Sequence, residues 1–173
     1  SDRCAEALLK IERVTKKKYE IVVMIQGDEP MTHPDMISQA LQPMIDNKKI
    51  EVVNLLGKIK SIEEFNDKNC IKVVCDKNQN ALYFSRQPIP NNDKCDNILM
   101  KKQVCIIPFR RDFLIEYTSL SPTELEVKES IDMLRVLEHG KSVHMVETDF
   151  ESYAVDTPDD IKRVEESLVD DIF

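Results

Sequence analysis

The stretch that decides the fold is IVVMIQGDEPMTHPDM, residues 21–36. Its first five residues, 21–25, form a continuous apolar run rich in β-branched side chains, which predicts a short strand covered on both faces. Gly27 and Asp28 follow this strand closely, and Pro34 then opens a segment with apolar residues at helical spacing. A strand that runs into acids and prolines in this way presents side chains at its tip, with open space above Gly27.

Strands and helices alternate along the rest of the chain. Apolar runs predict strands at residues 52–56, 71–75, 82–84, 104–107 and 143–146. Apolar residues at helical spacing predict helices over residues 1–14, 34–45, 127–138 and 157–168, and the polar residues 87–97 predict a loop. This alternation, with a hairpin joining 71–75 to 82–84, predicts a mixed three-layer α/β domain. Because ligands of such domains lie beyond the carboxyl ends of the strands, Asp28 stands at the expected site.

The length and charge of the chain limit its function classes. Its 173 residues are one domain's worth, so we expect a single domain over residues 1–173. A net charge of −8 without a long basic run argues against general nucleic-acid binding. No apolar stretch reaches the roughly 20 residues of a membrane span and no signal peptide is evident, so we expect a soluble, cytoplasmic protein. The five irregularly spaced cysteines indicate reduced thiols rather than zinc ligands.

Two acids that follow predicted strands are candidate metal ligands. Asp28 comes directly after a strand and a glycine, although Asp28 and Glu29 could instead cap the helix that follows. Asp156 also lies between an apolar segment and a helix, although it could instead form the turn before Thr157. If the two acids meet at one sheet edge, they suit Mg²⁺, which takes one or two carboxylates together with phosphate oxygens.

Four segments of the chain resemble the CMP-KDO synthetases, the 3-deoxy-manno-octulosonate cytidylyltransferases. They are QGDEP at 26–30, NDKNCIKVVCDKNQNALYFSRQPIP at 66–90, LEVKESIDMLRVLEHGKSVHM at 125–145 and AVDTPDDIKRVE at 154–165. The segments occur in a consistent order over essentially the whole chain, and ALYFSR with IP shortly after it is the most specific match. The resemblance implies a Rossmann-like fold of the nucleotide-diphospho-sugar transferase type.

The resemblance also implies a reaction. CTP and an acidic keto-sugar, KDO or a related sugar, would give the CMP-sugar and pyrophosphate for bacterial surface polysaccharide or lipopolysaccharide synthesis. The sugar's anomeric hydroxyl would attack the α-phosphate, with Mg²⁺ stabilising charge on the phosphate oxygens. By their positions in the matching motifs, Asp28 and Asp156 are expected to be the catalytic, metal-binding acids.

Five more residues are expected to bind substrate because of their positions in the matching motifs. Gln26 resembles a nucleotide or sugar contact, and Arg3 resembles a family arginine near the sugar. Arg86 in YFSR matches the family pattern, although it could be a surface arginine paired with acids. Glu126 and Glu129 match acids near the sugar, and their spacing places them on one helix face; a solvated charged face is the alternative.

The chain departs from the family pattern at two places. Gln103 and Ile107 stand where the family carries a histidine and a tyrosine that contact the sugar acid, so a related or modified acidic sugar is an alternative substrate and Gln103 is the candidate contact. The three glycines, Gly27, Gly57 and Gly140, are isolated, so a glycine-rich loop for the triphosphate is not found in this sequence. We therefore expect a fragment that lacks its N-terminal nucleotide-binding loop and has little activity by itself.

Two function hypotheses follow from these observations. The first is a cytidylyltransferase for an acidic sugar, and the second is a non-catalytic dimerising or regulatory remnant of that family. The resemblance implies a homodimer formed through a meander at residues 82–113, for which Ile89, Ile106 and Phe109 supply apolar surface. Those three residues could equally belong to an ordinary core.

Overall fold

The structure is a computed structural model that describes residues 1–91, 100–155 and 157–168. Its helices are α1 (Asp2–Thr15), α2 (Pro34–Asp46), α3 (Ile62–Asn66), α4 (Arg111–Ser119), α5 (Glu124–Glu129), α6 (Met133–Glu138) and α7 (Pro158–Leu168). Its strands are β1 (Ile21–Ile25), β2 (Val53–Lys58), β3 (Lys72–Cys75), β4 (Ala81–Ser85), β5 (Lys101–Val104), β6 (Ile106–Arg110) and β7 (His144–Glu147).

The strands form a mixed sheet centred on β2. This strand pairs antiparallel with β5 and parallel with β7, within the order β4-β3-β5-β2-β7. A second ladder joins β1 to β6 antiparallel, and a bridge between Val52 and Phe109 connects it to the start of β2. The predicted mixed α/β fold is confirmed.

Apolar side chains pack on both faces of the sheet. Along β2, Leu55 belongs to a core with Met36 and Met44 of α2, whereas its neighbour Leu56 belongs to a second core that includes Leu134 of α6. Successive residues of a strand point to opposite faces, so one strand contributes to both cores. Helices therefore cover the sheet on two sides, which is the arrangement expected for a three-layer domain.

Strand β1 is less covered than its sequence predicts. Within the described ranges it pairs with β6 alone, its buried residue is Met24, and Ile25 is 41 % exposed. The expectation of a strand covered on both faces is therefore wrong for this chain. A Cβ added at Gly27 would meet no heavy atom within 4 Å, so the expected open space beyond the strand is present.

The predicted strand at 104–107 is a junction between two strands. Val104 ends β5, Ile106 begins β6, and Cys105 lies between them. The backbone N–H of Gln26 donates to the Cys105 carbonyl at 3.3 Å, so the chain leaves one ladder and joins the next at this residue. An unbroken apolar run carries no signal of such a change of partner.

The predicted helix at 127–138 is two helices. Ser130 ends α5 in the left-handed conformation, at φ 55° and ψ 51°, and α6 begins three residues later. Gly140 has the positive φ of 72° that was expected after the helix end. Two short helices, α3 and α4, were not predicted.

Part of the expected dimerisation surface is core. Ile106 and Phe109 are fully buried within the chain, so the core alternative is correct for both. Residues 92–99, inside the predicted loop and meander, lie outside the described part. Among the described helices, none combines the length and the apolar character that a membrane crossing requires.

Candidate functional site

A pocket of about 180 Å³ opens beyond the carboxyl end of β1. Its walls come from the turn after β1, the segment before β3, the β5–β6 junction and the segment after β7. It is lined by Gln26, Asp28, Glu29, Glu64, Asp67, Asn69, Cys70, Ile71, Arg86, Lys102, Gln103, Val104, Cys105, Ser152, Tyr153, Ala154 and Asp160. Four of the substrate or metal residues predicted from sequence, Gln26, Asp28, Arg86 and Gln103, therefore meet at one site.

Asp28 has an oxygen that the fold leaves unused. The residue is half-buried, and its Oδ1 is buried without a hydrogen-bond partner. The alternative that it caps α2 is wrong, because the cap is His33, whose Nδ1 accepts from the Asp35 N–H at 3.1 Å. An unpaired buried carboxylate oxygen is costly unless a ligand or cation completes it.

Glu29 joins three parts of the pocket wall. It is 8 % exposed, and its Oε1 accepts from the Cys105 N–H at 2.9 Å. Its Oε2 accepts from the Ser152 hydroxyl at 2.5 Å. The turn after β1, the β5–β6 junction and the segment after β7 are therefore linked through one carboxylate, and helix capping is excluded for this residue as well.

The segment after β7 also touches the turn through its backbone. The Val155 N–H donates to the Asp28 carbonyl oxygen at 2.9 Å. Asp156, the second predicted metal ligand, lies outside the described residues. Within those residues, no group of three or more His, Cys, Asp or Glu side chains is arranged to hold a metal ion. One or two carboxylates with phosphate oxygens are sufficient for Mg²⁺.

Lys102 holds the opposite wall. Its ammonium donates to Glu64 Oε1 at 2.6 Å and to the Ser152 carbonyl oxygen at 2.7 Å. The same ammonium lies 4.9 Å from the centre of the Tyr153 ring, within cation–π range. The lysine thus has its partners inside the protein.

Gln103 lies in the pocket on a fixed support. Its Nε2 donates to Asn54 Oδ1 at 2.5 Å, and the fully buried Asn54 donates in turn to the Val104 carbonyl oxygen at 2.6 Å. Ile107, the other departure from the family pattern, is 2 % exposed in the core and does not line this pocket. Of the two departures, only Gln103 reaches the pocket.

Arg86 and Arg3 differ in their surroundings. The Arg86 guanidinium donates to the carbonyl oxygens of Glu129, Lys68 and Ser130 at 2.6, 3.0 and 3.2 Å. Pairing with surface acids is therefore not its role, and its guanidinium fixes the backbone beside the pocket. Arg3 is exposed on α1 and does not line the pocket.

The two glutamates of α5 have partners within the chain. Glu126 is 7 % exposed and forms a two-pronged ion pair with Arg135. Burial tends to raise the pKa of Glu126, but the hydrogen bonds from Arg135 and from the Thr123 N–H outweigh it, so that the pKa is lowered. Glu129 accepts from the Arg86 N–H at 2.8 Å and from the Tyr83 hydroxyl at 3.3 Å. Neither lines the pocket, and the alternative of a solvated charged face is wrong for the buried Glu126.

The charge of the pocket favours a cation. Its lining contains five acids, Asp28, Glu29, Glu64, Asp67 and Asp160, against the two cations Arg86 and Lys102. Both cations are held by protein oxygens. A divalent metal, carried alone or with a polyphosphate, suits such a surface better than an unaccompanied anion.

The Cys70 thiol of the pocket is not suited to act as a nucleophile at neutral pH. Burial raises the pKa of the Cys70 thiol to about 11, so this group is protonated at neutral pH. Cys4, Cys70 and Cys75 are thiols, as predicted, and Cys95 lies outside the described residues.

Sequence reasoning missed four residues that build the pocket: Glu29, Glu64, Lys102 and Ser152. For Glu29 the sequence predicts only a helix cap, and its position in QGDEP is the one signal that points to the pocket. The other three lie in segments without a distinctive pattern, and their partners are far away in sequence.

Comparisons with known proteins agree with this architecture. A family profile described as cytidylyltransferase matches residues 1–143. The 3-deoxy-manno-octulosonate cytidylyltransferase of Geobacter metallireducens is 41 % identical over 97 % of this chain and 68 % of its own length. That of Geotalea uraniireducens is 40 % identical over 97 % of this chain and 69 % of its own length. The chain thus spans about two thirds of these relatives.

Two solved structures resemble the chain. A CMP:2-keto-3-deoxy-manno-octonic acid synthetase complexed with CTP has a TM-score of 0.82 and 32 % identity, and the match covers 95 % of this chain and 67 % of that one. A putative glucose-1-phosphate thymidylyltransferase from Bacillus anthracis has a TM-score of 0.58 and 16 % identity, and the match covers 98 % of this chain and 62 % of that one. The second likeness concerns the fold alone.

Proposed function

The chain belongs to the cytidylyltransferase family, and from this premise we propose that it serves the CTP-dependent transfer of a cytidylyl group to 3-deoxy-manno-octulosonate or a related acidic keto-sugar. The products are the CMP-sugar and pyrophosphate. The names of the relatives support this reaction over the alternative of a non-catalytic remnant. The solved relative with CTP supports a nucleotide ligand.

The observation that carries the proposal is the unused oxygen of Asp28. Among the described residues, Asp28 Oδ1 is the one buried carboxylate oxygen without a hydrogen-bond partner. It lies in a pocket whose lining is mostly acidic. A carboxylate left unsatisfied in such a place is suited to a divalent cation.

Asp28 and Asp156 are the residues that we propose to hold Mg²⁺. The hydrogen bond from Val155 to the Asp28 carbonyl supports the pairing, because Asp156 is the next residue in the chain. When bound, the ion supplies positive charge to the phosphate oxygens and orients the attacking hydroxyl. The protein's own task is to fix these carboxylates and to exclude alternative geometries.

The amide side chains of the pocket are the proposed substrate contacts. Gln26 lies in the pocket just after the carboxyl end of β1, and Gln103 is fixed by Asn54. Both side-chain amides can therefore form hydrogen bonds with the sugar or the nucleotide. Arg86 contributes indirectly, since its guanidinium is committed to backbone carbonyls. Arg3, Glu126 and Glu129 stay predictions that depend on the family resemblance.

Three further properties are proposed with the reaction. The CMP-sugar serves lipopolysaccharide or related surface polysaccharide synthesis, and the protein works in the cytoplasm, where CTP is available. We also propose a homodimer that uses the outer strand β4, where Leu82 is 62 % exposed.

The test is Asp28→Asn in the protein as its gene encodes it, with any residues beyond 1–173. We expect Mg²⁺-dependent release of pyrophosphate from CTP and the sugar to fall at least about a hundredfold, because the amide removes the charge while it keeps the shape. Asp46→Asn, an exposed acid in α2, is the matched control. Near-normal release by Asp28→Asn would contradict the assigned role.

A further inference from the structure

We infer that Glu29 is a positioning residue that sets the distance between Asp28 and the segment after β7. This inference rests on the proposed function, since it concerns the two carboxylates assigned to the metal. Glu29 itself need not touch the substrate. Its carboxylate works through two hydrogen bonds, one from the Cys105 N–H and one from the Ser152 hydroxyl.

Both oxygens of Glu29 are committed to different parts of the chain. Oε1 accepts from the Cys105 N–H at 2.9 Å, at the point where β5 becomes β6. Oε2 accepts from the Ser152 hydroxyl at 2.5 Å, in the segment that follows β7. The carboxylate is more than nine-tenths buried, so water competes little for these bonds.

The neighbouring backbone bonds complete a closed set. The Glu29 N–H donates to the Gln26 carbonyl at 3.2 Å, and the Gln26 N–H donates to the Cys105 carbonyl at 3.3 Å. These two bonds fix the turn after β1 to the β5–β6 junction without any contribution from Asp28. Ser152 adds the third segment, and Val155 then reaches the Asp28 carbonyl.

This arrangement explains why an acid follows Asp28 although it does not cap the helix. Without Glu29, the Ser152 hydroxyl and the Cys105 N–H each lose an acceptor, and the segment after β7 is tied to the turn mainly through Val155. Residues that orient metal ligands from behind typically change metal affinity or activity by about 10- to 100-fold when they are removed.

The experiment compares Glu29→Ala with Glu29→Gln. A glutamine can keep both contacts, since its carbonyl accepts from Cys105 and its amide donates to the Ser152 oxygen. We expect Glu29→Ala to raise the Mg²⁺ concentration for half-maximal rate by about tenfold or more, with Glu29→Gln within about threefold of wild type. Glu6→Ala, an exposed glutamate on α1, is the control.

A readout without metal or substrate accompanies the kinetics. Amide hydrogen exchange at Val155 reports the contact with the Asp28 carbonyl oxygen, a contact in which the Glu29 carboxylate takes no part. We expect exchange at Val155 to become at least about tenfold faster in Glu29→Ala and to be restored in Glu29→Gln. A residue that merely supports global stability would speed exchange at Val155 and at core amides far from the pocket to the same extent, whereas a positioning residue speeds it at Val155 selectively.

The outcomes separate this inference from the proposed reaction. A folded Glu29→Ala with wild-type exchange at Val155 and wild-type Mg²⁺ dependence overturns the positioning role, as does a Glu29→Gln that is as impaired as the alanine variant. If Glu29→Ala fails to fold, Ser152→Ala takes its place, and unchanged exchange at Val155 in that variant overturns the role. If the wild-type protein does not catalyse the reaction, the proposed function is contradicted. The exchange measurement at Val155 still tests the positioning role of Glu29, because it requires neither metal nor substrate.

Discussion

The ammonium of Lys72 donates to the carbonyl oxygen of Arg86 at 2.6 Å, in a completely buried position. Two more carbonyl oxygens complete its surroundings, those of Cys70 at 2.6 Å and Asp67 at 2.7 Å. Its three donors are therefore matched by three backbone acceptors without a carboxylate among them. Because Asp67 and Cys70 line the pocket, this lysine fixes part of the pocket wall.

Replacing Lys72 by methionine is expected to lower the free energy of unfolding by about 3 kcal/mol. Methionine fills the space of the stem but leaves buried carbonyl groups without a donor, and each such group costs about 1–3 kcal/mol before relaxation. Urea denaturation at neutral pH measures the change. Lys68→Met, at an exposed position of the same segment, should stay within about 0.5 kcal/mol of wild type. Equal losses of stability in both variants would contradict a stabilising role for the three hydrogen bonds of the Lys72 ammonium.

The contact between Glu12 of α1 and Arg111 of α4 makes a prediction about acid. The Arg111 guanidinium donates to both Glu12 oxygens at 2.7 Å, and this hydrogen bonding lowers the pKa of Glu12 from its ordinary 4.5 to about 2. A carboxylate whose pKa is lower in the folded state stabilises the fold above the unfolded pKa, and this contribution is lost as the pH falls from about 4.5 to about 2.

Glu12→Gln is therefore expected to destabilise the protein most at pH 7. The difference in free energy of unfolding between wild type and Glu12→Gln should shrink as the pH falls through that window. Urea denaturation at several pH values measures it. The same substitution in an Arg111→Gln background is the control, in which the pH dependence of the difference should largely disappear. A difference that stays constant between pH 7 and pH 2 would show that the pair does not act through charge.

Local sequence predicts the parts of this fold that depend on local forces. The apolar run of β1 and the proline and acids at the start of α7 each act within a few residues, so their patterns are visible in the sequence. The two main errors, at Cys105 and Ser130, have a different origin. At each, one residue changes its partner or conformation inside an unbroken pattern, and only contacts across the tertiary structure select that change.

The site was predicted to a similar extent. Asp28 follows a strand whose end marks the ligand side of an α/β sheet, so its position predicts its place at the pocket, whereas Gln26 is expected there from the family resemblance. Glu29 could not be separated from a helix cap, because its partners Cys105 and Ser152 are 76 and 123 residues away. Arg86 was placed correctly at the pocket, but its commitment to backbone carbonyls depends on α5, which sequence reasoning had merged with α6.

Gln103 is expected to govern the choice of sugar. Its position in the pocket is set by a hydrogen bond from its Nε2 to Asn54 Oδ1, which leaves the rest of the Gln103 side-chain amide available to a ligand. Gln103→Ala should raise KM for the acidic sugar by about tenfold, because the loss of one hydrogen bond worth about 1.4 kcal/mol weakens binding by that factor. KM for CTP should stay within about twofold of the wild-type value. Steady-state kinetics with a panel of keto-sugar acids measures this, with Gln42→Ala on the surface of α2 as the control. An equal rise in both KM values would assign Gln103 to general support of the pocket.

Ser130 tests why one predicted helix is two. The residue has φ 55° and ψ 51°, a conformation that costs a residue with a Cβ about 1–2 kcal/mol and costs glycine little. Its carbonyl oxygen accepts from Arg86, so the turn is held in place by the side chain beside the pocket. Ser130→Gly should raise the free energy of unfolding by about 0.5 kcal/mol, after the greater freedom of glycine in the unfolded chain offsets part of the gain.

The matched control for this change is Lys128→Gly, in the helical part of α5. Glycine at a helical position removes helix propensity, so this variant should lose about 0.7–1 kcal/mol. Thermal unfolding of the two variants, followed by circular dichroism, measures both signs in one experiment. A loss of stability in Ser130→Gly comparable to that of Lys128→Gly would mean that the break between α5 and α6 is not a strained left-handed turn, and that the serine side chain itself stabilises the junction.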